Sequence, residues 1–331
     1  MIDSGSTRDR RLGFPVIGSR LTMDGQPVST FPDFYVVGAG RAGTTSVSRY
    51  LSQHPGIFVP ASKSSSFFYA RDLAGSPLAK EGASIPEWFV RDEAGYHGLY
   101  SPAPADSIRG DVSPVYLAST RVAERIAAAR PDAKIIVFMR NPVDRVYSRY
   151  VGRRRDGLER IPTFEELVER EIDTDLVRDD AHASYLASGM IAHHLQTYFD
   201  AFPRENIQIH FYEEFSGDTQ GVMASTCRFL GVDHEFQFDV RRIHNRSGGR
   251  IRNPAIGGLW SSSLPVRKAL RPFLPQSLRD GLFRKATAKT EAVPIRPETR
   301  RRLIEVYRED VHALERMTGR DLSAWLRPPG P

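Results

Sequence analysis

The sequence predicts an α/β protein: a three-layer α/β/α fold around a central parallel sheet. Three observations carry this. Strand-like and helix-like segments alternate along residues 34–317, the pattern of parallel strands joined by helical crossovers. Residues 134–140 (K-I-I-V-F-M-R) form a continuous apolar run, as expected of a strand buried on both faces. Residues 34–46 (F-Y-V-V-G-A-G-R-A-G-T-T-S) pass from an apolar strand into a Gly-rich loop and then a helix. There the spacing of Gly38 and Gly43 is that of a phosphate-binding loop, so the expected fold is P-loop-type.

Taken in order, residues 1–30 are polar and Gly/Ser-rich and read as a flexible N-terminal arm. Residues 31–331 read as one domain. A strand at 34–38 leads to a helix near 44–53 and a short strand at 57–60. Residues 70–109, rich in Gly, Pro and Ser, read as a long irregular connection. A helix at 118–130 precedes the apolar strand. Asn141 then serves as a helix N-cap, with Pro142 at the first helical position and Asp144 near the positive helix end. Further helices are expected at 163–171, 184–200, 219–230 and 298–317, and a strand at 207–212. Within 255–295, Pro265, Pro272, Pro275 and several basic residues interrupt an amphipathic pattern, which reads as a lid or surface insertion.

Length and composition bound the rest. At 331 residues the chain buries a sizeable core, and 40% hydrophobic with 26% charged residues is ordinary for a globular protein. No apolar run reaches about 18 residues, so no stable membrane insertion is expected. Residues 1–20 lack the apolar centre of a secretory signal. One cysteine, Cys227, rules out an internal disulfide framework, fits a cytoplasmic location, and reads as a buried core thiol. The net charge of +6 rests on arginine, since Lys63, Lys80, Lys134, Lys268, Lys285 and Lys289 are the only lysines. Arginine is the better bidentate partner for phosphate and sulfate.

Two anion sites follow from the motifs. In the first, backbone N–H groups at a helix start carry partial positive charge. Gly38, Gly40 and Gly43 let the backbone curl around an anion, with Ala42 in the same loop, while Thr44, Thr45 and Ser46 add hydroxyl donors and Arg41 a permanent charge. Thr44 stands where a nucleotide triphosphatase places lysine, so the loop lacks the group that handles a γ-phosphate. In the second, Arg140 ends the apolar strand and Ser148 lies about two turns into the next helix. Ligands of open α/β sheets sit outside the carboxyl ends of strands, which puts both sites in one crevice. Together they ask for a nucleotide with two separate phosphate positions.

With these residues the chain resembles the sulfotransferases that use 3′-phosphoadenosine 5′-phosphosulfate (PAPS), the heparan-sulfate type and its bacterial relatives above all. G-R-A-G-T-T-S-V-S-R-Y-L-S-Q-H-P at 40–55 is similar to the family's 5′-phosphosulfate loop. R-N-P-V-D-R-V-Y-S-R-Y at 140–150 is similar to its 3′-phosphate motif. G-D-V-S-P-V-Y at 110–116, I-Q-I-H-F-Y-E-E-F at 207–215, N-R-S-G-G-R-I-R at 245–252 and L-E-R-M-T-G-R-D-L-S-A-W-L at 314–326 follow in family order. The likeness covers about residues 33–326.

The resemblance implies a sulfotransferase with PAPS as co-substrate, no required metal, and a small-molecule or glycan acceptor. It implies that Arg41, in the position usually held by lysine, stabilises charge on the bridging oxygen during in-line displacement. It assigns Tyr212 to the neighbourhood of the nucleotide or to the sheet edge, and Ser247, Gly248, Gly249 and Arg250 to a loop closing on the 3′-phosphate. In the family a glutamate follows the lysine of a K-E-x-x-F-F-like run; here Lys63, Phe67 and Phe68 match but Ser64 takes the carboxylate position. Lys63 is a catalytic candidate on that match. Three sources of base remain open: Asp111, a histidine among His182, His193 and His194, or a phenolic acceptor acidic enough to need less help (pKa about 10). His54, in the turn after the first helix, reads as structural.

Two other readings are compatible with parts of the sequence. A P-loop small-molecule kinase needs a loop lysine and Mg²⁺ ligands. A non-catalytic anion-binding relative, or a binder of acidic polymers, needs only the arginines. The placement of Arg140 on a buried strand disfavours a nucleic-acid partner.

Overall fold

The computed structural model describes residues 31–328 except 62–63, 75–85, 87, 157, 178–183 and 242–293. The N-terminal arm, the lid or insertion expected at 255–295, Lys63, His182 and Ser247 to Arg250 lie outside the described residues. Pro32–Pro331 clusters as one unit.

Five strands, β1 (Phe34–Gly38), β2 (Ile57–Phe58), β3 (Ile108–Val112), β4 (Lys134–Met139) and β5 (Ile207–Phe211), form one parallel sheet in the order β2-β3-β1-β4-β5. The registers Phe34↔Gly110, Phe34↔Lys134 and Ile135↔Ile207 set β1 at the centre. Phe34 to Val37 and Ile135 to Met139 are fully buried, which accounts for the unbroken apolar runs of β1 and β4. From β1 the chain runs to the edge strand β2, returns to β3 beside β1, and then crosses to β4 and β5 on the other side. The strand order therefore reverses at β1, and the loop after β1 sits at the switch point where such sheets bind ligands.

The helices are α1 (Thr44–Leu51), α2 (Phe67–Ala74), α3 (Glu93–Gly98), α4 (Val122–Ala129), α5 (Pro142–Arg155), α6 (Phe164–Glu171), α7 (Ala192–Ala201), α8 (Tyr212–Gly217), α9 (Thr219–Leu230) and α10 (Pro297–Thr318). Local chemistry starts and stops several of them. The Asn141 side chain accepts from Val143 N and Asp144 N at the head of α5, as expected. Thr163 caps α6 through Glu166 N, Asp218 caps α9 through Gly221 N, and Pro297 opens α10.

Three expected elements differ. The connection at 70–109 holds the end of α2 and all of α3, whose cap is Asp92 accepting from Gly95 N. The helix expected at 184–200 is split: a 3₁₀ turn at Ala187–Gly189 precedes α7. The physical cause is remote, because Asp310 on α10 accepts from Ile191 N and Ala192 N, each at 3.0 Å, and restarts the helix there. Tyr212, expected to end a strand, is the first residue of α8. Cys227 is fully buried, as expected, and burial pushes its thiol up to about 11.

Candidate active site

The loop between β1 and α1 is stitched to the sheet by Ala39 N, which donates to Phe138 O at 2.6 Å. Gly43 adopts φ 89°, a left-handed conformation that favours glycine, and its carbonyl accepts from Ser46 N at 2.8 Å as α1 begins. Thr44 and Ser46 are buried within this first turn.

Arg41 also has positive φ, 73°. Its side chain crosses from the loop to α5, where Nε donates to Ser148 Oγ at 3.1 Å. The guanidinium packs on Gly152, where an added Cβ would lie 3.2 Å from its central carbon. Burial lowers the Arg41 pKa, with the charge of Arg155 adding to the effect. Arg140, at the end of β4, donates Nη1 to the Arg41 carbonyl at 3.2 Å. Its guanidinium lies 4.5 Å from the centre of the Tyr212 ring. Ser148 is buried. Of the residues expected in the nucleotide site, Arg41, Arg140, Ser148 and Tyr212 are thus brought together at the loop formed by Gly40, Ala42, Gly43, Thr44, Thr45 and Ser46.

Asp111 stands differently from the expectation of a base that meets the acceptor. Its carboxylate is 2% exposed. It accepts from Ser113 Oγ at 2.6 Å and from Ser65 Oγ, Tyr96 OH and Tyr116 OH at 2.8 Å each. Burial raises its pKa, and the four hydroxyl bonds oppose that shift. Burial first, then the Asp111 charge, holds the Tyr96 and Tyr116 phenols protonated far above their ordinary range. The carboxylate lies beneath the loop at 64–66. Ser65 Oγ bonds to it, Ser66 N donates to Ser113 Oγ at 3.1 Å, and Val90 N donates to Ser65 O at 2.9 Å. Ser64 and Ser66 both have left-handed backbones, φ 70° and 52°, and their hydroxyls share a 3.1 Å hydrogen bond.

The histidines divide. His193 is exposed. His194 is buried, with Nδ1 3.1 Å from Met190 O. His54 holds a turn, with Nδ1 accepting from Gly56 N at 3.0 Å and Nε2 2.9 Å from Asp233 O. Arg153, Arg154 and Arg155 find partners nearby in the Tyr185 hydroxyl, the Glu159 carbonyl and the Asp156 carboxylate. No group of three or more acidic, histidine or cysteine residues positioned for a metal occurs among the described residues.

Two features were not anticipated. Asn141 Nδ2 donates to Trp325 O at 3.3 Å, so the C-terminal segment reaches the head of α5. Arg145, the middle arginine of the 140–150 motif, is buried between α5 and α10. The spacing of Arg145 from Asn141 and Ser148 was visible, but its partner surface lies on a helix more than 150 residues later in the chain.

The sheet order and the glycine-rich loop at the switch point define an α/β protein of P-loop type, with cations converging on that loop. The chain belongs to the sulfotransferase domain family, whose model matches residues 31–247. It is similar to human bifunctional heparan sulfate N-deacetylase/N-sulfotransferase 2, at 28% identity over 61% of this chain and 22% of that protein. It is also similar to human heparan sulfate glucosamine 3-O-sulfotransferase 6, at 26% identity over 88% of this chain and 73% of that protein. The first relatives are longer, and this chain spans 22% of the N-deacetylase/N-sulfotransferase and 64% of the mouse 3-O-sulfotransferase 6. Among solved structures, a sulfotransferase from Alicyclobacillus acidocaldarius superposes with a TM-score of 0.67 and 29% identity, covering 90% of this chain and 99% of the other.

Proposed function

We propose that this protein transfers a sulfuryl group from PAPS to a hydroxyl or amine of a glycan or small-molecule acceptor. The observation that carries this reading is the pairing of two anion positions by one side chain. Arg41 belongs to the glycine-rich loop yet bonds to Ser148 on α5, with Arg140 bonded to the same loop residue. A nucleotide with a 5′-phosphosulfate and a separate 3′-phosphate matches such a pair. A kinase reading loses its support with the family assignment and with Thr44 in the lysine position.

In this reading the acceptor oxygen or nitrogen attacks sulfur in line, the new bond to sulfur forms, and the sulfur–oxygen bond to the 5′-phosphate breaks. The departing phosphate oxygen carries the bonding pair and needs no proton, so a fixed cation suffices. Arg41 supplies it, since guanidinium does not readily release a proton. Lys63 and the loop of Ser247, Gly248, Gly249 and Arg250 are assigned on motif position: Lys63 beside the acceptor, the loop over the 3′-phosphate. Asp111 acts as a positioning residue, and its four hydroxyl bonds support this over direct proton abstraction. The acceptor's proton then leaves to a base outside that cage, or to solvent for a phenol of pKa about 10. A cytoplasmic location is part of the proposal and rests on the single, buried cysteine.

Calorimetric titration with adenosine 3′,5′-bisphosphate (PAP) and with AMP tests the nucleotide assignment. Wild-type protein is expected to bind PAP at least about tenfold more tightly than AMP, the order of one charge-assisted phosphate contact. Arg140→Ala is expected to abolish that preference. Equal affinity of the wild type for both nucleotides would sink the two-phosphate reading.

A further inference from the structure

Arg145 is an arginine of the 140–150 motif whose role neither the nucleotide site nor a hydrogen bond of its Nε or Nη2 explains. It is 6% exposed, and its Nε and Nη2 have no hydrogen-bond partner among the described residues. A buried cation in that state opposes folding, because desolvation is not repaid by bonds. Burial is the main cause that lowers its pKa, to about 10, and the charges of Arg149 and Arg140 add to it. Arg145 therefore feels the Arg140 guanidinium through the protein.

The groups around it are already engaged elsewhere. Tyr307, on α10, donates its hydroxyl to Leu186 O at 3.0 Å. Asp310, one turn further along α10, is occupied by Ile191 N and Ala192 N. Arg149, one turn further along α5, donates to Ser184 O at 2.7 Å and stacks 4.8 Å from the Tyr185 ring centre. The Asp310 carboxylate offsets part of the Arg145 charge, Arg149 and Arg140 add to it, and the Tyr307 phenol, held protonated by burial, contributes no charge. On α5, Arg145 lies one turn from Ser148 and from the Asn141 cap.

We propose that Arg145 is a specificity-determining residue for the nucleotide, a buried cation whose field acts through the protein interior on the 3′-phosphate held by Arg140 and Ser148. This rests on reading those two residues as the 3′-phosphate site. A buried charge is weakly screened by salt, so its attraction persists where surface arginines lose theirs. It distinguishes a nucleotide with a 3′-phosphate from one without, while touching neither. The arginine's cost to stability is then offset only in the nucleotide-bound protein.

The test is titration of full-length wild type, Arg145→Met, Arg145→Lys and Asp310→Asn with PAP and with AMP, at low and high salt. Arg145→Met is expected to weaken PAP about tenfold, the effect of one charge acting over about 12 Å at an effective dielectric of about 20. Its AMP affinity is expected to change less than about twofold, and the PAP deficit to persist at high salt. Arg145→Lys is expected to keep most of the PAP affinity. Asp310→Asn, which removes the opposing carboxylate, is expected to tighten PAP and leave AMP unchanged, a gain that a purely structural role does not produce. The inference is overturned if Arg145→Met weakens both nucleotides equally or leaves PAP unchanged. Should Arg145→Met fail to fold, an Asp310→Asn variant with unchanged or weaker PAP binding overturns it. A wild type that binds PAP and AMP alike overturns the 3′-phosphate reading itself, whereas a wild-type preference that is undiminished in Arg145→Met overturns this inference alone.

Discussion

Arg41 concentrates the chemistry of the loop in one residue. Its left-handed backbone, φ 73°, turns the side chain out of the loop, and its buried guanidinium ends on Ser148. In the proposed reaction this cation moves from Ser148 to the departing oxygen, where it acts on charge that builds during transfer more than on the ground state. Replacing Arg41 by alanine is expected to lower kcat about a hundredfold, the size of a lost oxyanion-type contact. PAP affinity is expected to fall less than about tenfold. Turnover with PAPS and a phenolic test acceptor, beside PAP titration, reads the two effects; unchanged turnover removes Arg41 from catalysis. The identity and position of Arg41 were legible in the sequence, but the direction of its side chain was not. That direction depends on Gly152, more than 100 residues away, which leaves room for the guanidinium. Asp111 shows the same limit. Its motif was visible, yet the cage is assembled from Ser65, Tyr96, Ser113 and Tyr116, which meet only when α3 packs over β3 and α2.

Among the elements, α5 does most to build the site, because it carries Ser148, Arg145 and the Asn141 cap. Asn141 has two tasks: its side-chain oxygen accepts from Val143 N and Asp144 N, and its amide donates to Trp325 O. Asn141→Ala removes both and is expected to cost about 1–2 kcal/mol. A lower urea midpoint with an unchanged slope is the expected signature, and an unchanged midpoint rejects the double role. The first task was readable from N-P-V-D, and so were α9 and α10, whose ends carry Asp218, Gly231, Pro297 and Gly319. Elements set by distant partners were not. The split at 187–192 follows from Asp310, and from Gly189, where a Cβ would fall 2.4 Å from the Tyr307 ring. The short α3 carries only one local signal, the Asp92 cap, inside a stretch rich in loop-forming residues.

At the level of the whole molecule, the parallel sheet was legible because strands covered on both faces need unbroken apolar runs, and β1 and β4 have them. Burial of a titratable group on β5 gives the fold a pH signature. His210 is buried against Phe138, with ring centres 5.0 Å apart, and Nε2 lies 3.1 Å from Thr226 Oγ1. Desolvation, helped by the Arg320 charge, lowers its pKa to about 4. The folded state thus favours neutral imidazole, while the unfolded chain takes up a proton near pH 6.5. Stability from this residue is fully present above about pH 6.5 and is lost as pH falls towards about 4, on the order of 3 kcal/mol. Denaturation of wild type and His210→Leu across that range is expected to show a shallower acid slope in the variant. Parallel slopes in the two proteins reject this origin for it.

The Trp325 carbonyl on Asn141 and the Trp325 ring against Phe211, 5.7 Å between centres, tie the tail to the carboxyl ends of β4 and β5. Trimming the chain from residue 323 onward strips one wall from the last strand and one anchor from the helix that carries Ser148. Wear at the C-terminus, or a bulky fusion placed there, is therefore felt where α5 meets the loop after β1.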